Sequence, residues 1–168
     1  SGGTFVLPEN NLNDQPNMAM PSSLTVQSGG KAELQGGSTA WINVYGTLNI
    51  SGGSHTNINQ ENPGQLNITD GQINCLEIHG DIPQNALSGG SYGIISVWES
   101  ERGKLEKFRN VTFDDFQNML VSGKVFQNRT NQSYPNQVET DGNYGYYYCK
   151  KDLSNVCVTA APFTGVQV

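Results

Sequence analysis

A short phrase written twice constrains this chain more than any other feature. LNISGG at residues 48–53 returns as LNITDG at 66–71, and looser copies, LTVQSGG at 24–30 and ALSGG at 86–90, flank the pair. Each copy alternates apolar and polar residues, then ends in a Gly pair or an Asp-Gly corner. The corner glycines Gly30, Gly53, Gly71 and Gly90 stand 23, 18 and 19 residues apart. A strand-and-corner unit returning at roughly 20-residue intervals predicts a solenoid, because one unit cannot bury its own apolar face and needs a stacked neighbour.

Between residues 22 and 95 the apolar period is two nearly everywhere. Leu24 and Val26, Ile42 and Val44, Leu48 and Ile50, and Leu66 and Ile68 alternate with Thr25, Asn43, Asn49 and Asn67. This is the pattern of half-buried strands. An antiparallel sandwich also has short strands, but here like residues return at like positions in one direction. Stacking the copies would place Leu24, Leu48 and Leu66 in one interior column and Val26, Ile50 and Ile68 in the next. On these residues the chain resembles the parallel β-helix proteins over residues 22–128. The fold class expected is all-β: a parallel β-helix (β-solenoid) of about five coils with a C-terminal disulfide-bearing cap.

Three segments are expected. Residues 1–20, rich in Asn, Gln and Pro, read as an extended N-terminal arm with one strand at residues 4–7, either capping the first coil or pairing with a neighbour's sheet edge. Residues 21–128 form the solenoid, and 129–168 a Tyr-rich C-terminal cap. The opening SGGTFVLPENN has neither an initiator Met nor a signal-peptide core. It reads as a processed mature form or an excised piece whose first three residues could be a cloning remnant.

Two interruptions stand out. Residues 99–109, ESERGKLEKFR, read as a protruding loop or short helix: a solvated excursion, or a partner-binding loop through Glu99, Glu101, Arg102 and Lys104. Beyond it the coil is expected to resume, with Phe113, Phe116 and Phe126 supplying the bulk that seals an open end. FRNVTF there resembles phrases of β-helix coils.

Cys149 and Cys157 flank KKDLSNV, a segment of the right length for a small disulfide loop, which implies an oxidising compartment. The loop is similar to that of bacterial pilin heads, although their helical N-terminal spine is absent. Cys75 is left as a buried thiol or an intermolecular bridge.

Composition excludes several roles. A net charge of −6 argues against nucleic acid. No apolar run reaches the ~18 residues of a membrane-spanning helix. No nucleophile elbow, P-loop or dinucleotide fingerprint is present, and His55 and His79 lack the neighbours of a zinc site. Thr69-Asp70-Gly71 and the turn at 140–143 read as turn chemistry before calcium. No cofactor is expected.

Asp114 and Asp115 are the carboxylates to consider if the chain is an enzyme, although strand neighbours point to opposite faces. Five sequons begin at Asn49, Asn67, Asn110, Asn128 and Asn131. Asn49 and Asn67 would stack too closely for two glycans and read better as an amide ladder; of the other three sequons, Asn110 and Asn128 are the glycosylation candidates. Tyr144, Tyr146, Tyr147 and Tyr148 are the candidate ligand or partner surface, since phenols of a segment that alternates so little cannot all be buried.

The functional expectation is a non-catalytic structural or adhesive module, secreted or cell-surface. Its partners would be its own kind, head to tail or through the N-terminal arm, or a surface glycan. The alternative is a polysaccharide-binding or polysaccharide-cleaving β-helix protein, including a phage-type depolymerase fragment. An enzyme would converge three or more charged groups on one lateral groove; a filament subunit would leave both ends open.

Overall fold

A computed structural model describes residues 3–7, 23–99, 109–129, 144–147 and 149–161. Its strands are β1 (Thr4–Leu7), β2 (Ser23–Val26), β3 (Lys31–Leu34), β4 (Ser38–Val44), β5 (Thr47–Gln60), β6 (Gln65–Ile78), β7 (Ser91–Trp98), β8 (Lys124–Asn128), β9 (Tyr144–Tyr147) and β10 (Lys150–Ala160), with one helix, α1 (Phe113–Asn118). The fold is all-β, with parallel coils stacked as a β-solenoid of about four turns, against the five expected.

Two parallel faces build the stack. On one, β1, β3 and the first halves of β5 and β6 pair in sequence, so that Ala32, Leu48 and Leu66 form one inward column and Leu34, Ile50 and Ile68 the next. On the other, β2, β4 and the second halves of β5 and β6 lead to β7. Leu24, Ile42, Ile58, Leu76 and Ile95 form one inward column there. The expected columns are therefore half right. Leu48 does meet Leu66, but Leu24 and Val26 belong to the opposite face.

The corner glycines explain the slip. Gly30 does not adopt a positive φ; Gly37, Gly53, Gly71 and Gly90 do, at intervals of 16, 18 and 19 residues. LTVQSGG turns out of the second face and QGG at 35–37 out of the first, so the two phrases look alike while occupying different corners. Gly53 shows why glycine is required. Its φ is +89°, and a Cβ there would lie 2.7 Å from the Gly37 carbonyl oxygen of the coil below. At Thr69-Asp70-Gly71 the expected turn chemistry is present, with the Gly71 N–H donating to Asp70 Oδ1 at 2.7 Å.

Aliphatic side chains fill the interior, and the few polar ones among them are bonded. Gln60 stands in the column between Val44 and Ile78. Its amide donates to the Gly64 carbonyl at 2.9 Å and accepts from the Gly80 N–H at 3.1 Å. His55, 1% exposed, lies 2.9 Å through Nδ1 from the Thr39 hydroxyl and 2.9 Å through Nε2 from the Gly52 carbonyl. Burial pushes the His55 pKa below its usual 6.5, because desolvation penalises the imidazolium.

At the C-terminal end the parallel stack stops. β10 runs antiparallel to β7 on one side and to β8 on the other. The coil expected to resume after residue 109 is instead the one-and-a-half-turn helix α1. Phe113 and Phe116, three apart on one helix face, are buried with Val111, Met119 and Phe126. Phe113 and Phe116 come from this helix and Phe126 from β8, which pairs with the reversed strand β10.

Candidate functional site: one lateral face

The outward side of the second face carries a stack of polar and aromatic side chains. Strand alternation turns every second residue outward, and the register then aligns them into rows. Trp41, Asn57, Cys75 and Ile94 form one row; Asn43, Asn59, Glu77, Ser96 and Asp152 the next. Glu61, His79, Trp98 and Lys150 lie just beyond it. The two tryptophans of the chain both stand on this face.

The rows are bonded to one another. With its amide oriented to satisfy its neighbours, Asn59 donates to Asn57 Oδ1 at 3.0 Å and to Glu77 Oε2 at 2.6 Å, and accepts from Trp41 Nε1 at 3.2 Å. His79 stacks on Trp98 with ring centroids 5.3 Å apart. Lys150 Nζ lies 5.6 Å from the Trp98 ring centroid and donates to Ser96 Oγ at 3.3 Å.

Several polar atoms on this face are nevertheless incomplete. Among the described residues, the buried side-chain atoms without a hydrogen-bond partner are His79 Nε2, Trp98 Nε1 and Asp152 Oδ1. His79 Nε2 is 3.6 Å from Glu77 Oε2, and Asp152 Oδ1 3.5 Å from Lys150 Nζ, distances within ion-pair range but too long to be good hydrogen bonds. Nδ1 of His79 faces Glu61 Oε1 at 3.5 Å. Buried polar groups in native proteins are nearly always bonded; here Glu77 and Lys150 are the nearest charged partners of two of the three. Among the described residues no cluster of His, Cys, Asp and Glu is arranged to hold a metal ion.

Cys75, in the outer row, is a half-buried thiol whose pKa is pushed up to about 11 by burial and by the Glu77 charge. It is therefore a poor nucleophile.

The residues singled out in the sequence fall elsewhere. Cys149 and Cys157 form no disulfide, because the segment between them is strand and not loop. Lys150 pairs with Trp98 and Cys157 with Ser91, which places the two cysteines at opposite ends of β7. Seven residues of strand hold Cα atoms roughly 20 Å apart, whereas a disulfide needs less than about 7 Å. Asp114 and Asp115 lie in the first turn of α1; Asp114 is exposed, and Asp115 Oδ2 caps the helix by accepting from the Thr112 N–H at 2.7 Å. They form no groove. Glu99 is 7% exposed, so it is no part of a solvated loop; Glu101, Arg102 and Lys104 lie outside the described residues.

Tyr144, Tyr146 and Tyr147 lie on β9, an added strand paired with β10. Tyr148 lies outside the described residues. Of the sequon residues, Asn110 is exposed and Asn128 half-buried on β8. Register sets Asn49 beside Asn67, as an amide ladder requires.

The lateral face itself went unread in the sequence, although its signal is there. NINQE at 57–61 and CLEIH at 75–79 stand one coil apart, each with outward polar residues at every second position.

No protein-family model matches the chain. No curated protein and no solved structure matches it either. No helix of the described residues is long and apolar enough to cross a membrane.

Proposed function

We propose that the chain is a non-catalytic adhesive module, secreted or displayed at a cell surface, that binds glycan along this lateral face. The observation that carries the reading is the alignment on one face of both tryptophans with amide and carboxylate side chains in register. Sugars present hydroxyls, which need donors and acceptors at fixed spacing, and C–H faces, which pack on aromatic rings. Amides, carboxylates and two half-buried indoles on a rigid ladder provide both, since each strand adds another member to a row about 4.8 Å along the stack. A stiff scaffold also lowers the ordering cost of binding.

Self-assembly is a weaker companion to this reading. Head-to-tail growth needs two open sheet edges, and at one end α1 and the antiparallel β10 replace the parallel coil. The lateral face therefore takes the adhesive role in preference to the ends.

The test is a glycan array probed with labelled wild-type chain and with Trp98→Ala. The expected result is binding to a restricted set of glycans that the variant loses at least tenfold while its sheet circular dichroism is unchanged. A folded variant that keeps the full signal overturns the reading.

A cleaving enzyme is the second reading, and one observation favours it. Glu77 and Asp152 share a row with only Ser96 between them, so their backbones lie roughly 10 Å apart. Inverting glycosidases hold their two carboxyls at about that separation. Release of reducing ends from a bound polysaccharide, abolished by Glu77→Gln with binding retained, would favour it over adhesion.

A further inference from the structure

Where the stack closes, a buried lysine is aimed at an asparagine side chain. Lys151, 6% exposed, projects inward from β10 opposite Val97. Its Nζ lies 3.5 Å from Asn110 Oδ1 and 4.0 Å from Glu99 Oε2, and it donates to the Val111 carbonyl. Glu99 is fixed in turn: its Oε2 accepts from the Val111 N–H at 3.0 Å, and its carbonyl accepts from the Arg109 N–H at 3.1 Å. Amine, carboxamide and carboxyl are thus held together by three separate stretches of chain.

That triad has the parts of an amide exchange. A side-chain amine attacks a carboxamide only when neutral, and Glu99 Oε2, 4.0 Å from Nζ, is the group placed to take its proton. Fixed approach replaces a bimolecular encounter and raises the effective concentration of the amine by orders of magnitude. The carboxylic acid so formed then serves as a general acid to the amide oxygen. Asn110, exposed to solvent, gives the leaving group a way out.

We propose that Lys151 and Asn110 condense into an intramolecular isopeptide bond, with Glu99 carrying the protons. The Lys151 ammonium first gives a proton to the Glu99 carboxylate. The Nζ lone pair then attacks Asn110 Cγ while Glu99 protonates Oδ1. Collapse of the tetrahedral intermediate returns the hydroxyl proton to Glu99, the proton on the attacking nitrogen leaves with Nδ2 as ammonia, and Glu99 then passes its proton to that ammonia. The Nζ–Cγ bond forms, the Cγ–Nδ2 bond breaks, and an ammonium and a carboxamide become a secondary amide and an ammonium ion. No oxidant or cofactor is required. The bond joins the closing strand β10 to the residues leading into α1, 41 positions apart. It also competes with glycosylation of Asn110, since both reactions use Nδ2.

The test is the intact mass of the full chain produced in a bacterial cytosol and measured in denaturant. The expected mass is one ammonia below that of the sequence, with a branched peptide joining the Asn110 and Lys151 segments after proteolysis. Asn110→Ala, at an exposed position and so tolerated by the fold, should show its full mass, as should Glu99→Gln. A wild-type chain at full mass overturns the proposal. So does ammonia loss that persists in Asn110→Ala, or that comes without a branched peptide; a bond still formed in Glu99→Gln removes Glu99 from the chemistry.

Discussion

The imidazole of His79 lies against the indole of Trp98, ring centroids 5.3 Å apart and planes inclined by 30°. Neighbouring coils produce the contact: Ile78 pairs with Val97, so the residue that follows each is carried to the same place. His79 is buried, its side chain 5% exposed, and it shields one side of Trp98. Replacing His79 with Ala should lower stability by about 1–2 kcal/mol, the stacking and packing of a buried ring, and shift tryptophan emission to longer wavelength. Denaturant titration and the emission maximum check this; an unchanged maximum would mean the rings do not shield each other.

Glycine corners allow a comparison that separates crowding from backbone strain. Gly29 and Gly53 both have positive φ, +80° and +89°, but an added Cβ at Gly29 meets nothing within 4 Å whereas at Gly53 it meets the Gly37 oxygen at 2.7 Å. Gly29→Ala should cost about 1 kcal/mol, the left-handed penalty alone. Gly53→Ala should cost clearly more, about 3 kcal/mol or above, because the coil below must move. Equal urea midpoints for the two variants would contradict the stacking.

His55 makes stability depend on pH in a stated direction. Its folded pKa lies below the usual 6.5 because it is buried, so on acidification the unfolded chain takes up the proton first. The neutral imidazole's contribution is fully present above about 6.5 and is lost as pH falls toward the folded value. From about pH 7.5 to about pH 5.5 the wild type should lose more stability than His55→Gln does. Parallel losses in both chains would assign the acid sensitivity elsewhere.

Thiol counting checks the antiparallel closing strand. With Cys149 and Cys157 at opposite ends of β7, the chain denatured without reductant should titrate three thiols. A count of one would mean that a pair had bonded and that the strand register is wrong. In the folded protein Cys75, its pKa near 11, should alkylate slowly at neutral pH.

The architecture was legible because stacking writes itself into sequence twice, as alternation within a strand and as recurrence between coils. Leu48 over Leu66 and Ile50 over Ile68 could be read directly. The face of Leu24 could not, because both kinds of corner end in Gly-Gly and only the backbone distinguishes them. KKDLSNV looked like a loop because Lys150, Asp152 and Ser154 are polar, yet in β10 they are the outward half of an alternation whose inward members include Leu153 and Val156. The helix at residue 113 is a single short segment whose Phe113–Phe116 spacing is too brief to establish a period. The lateral face was hidden for another reason: its residues are ordinary polar ones along the chain, and only the coil register gathers them.

The face also has a built-in reporter. Its two indoles are the only ones in the chain, so tryptophan fluorescence reads this surface alone. Titrating the protein with the glycan that gives the strongest array signal should produce a saturable change in emission. The midpoint should match the binding constant found by calorimetry, and Trp98→Ala should weaken binding about tenfold or more. Glycan binding with no change in tryptophan emission would place the site elsewhere on the chain, and the absence of binding to any glycan would contradict the proposed function.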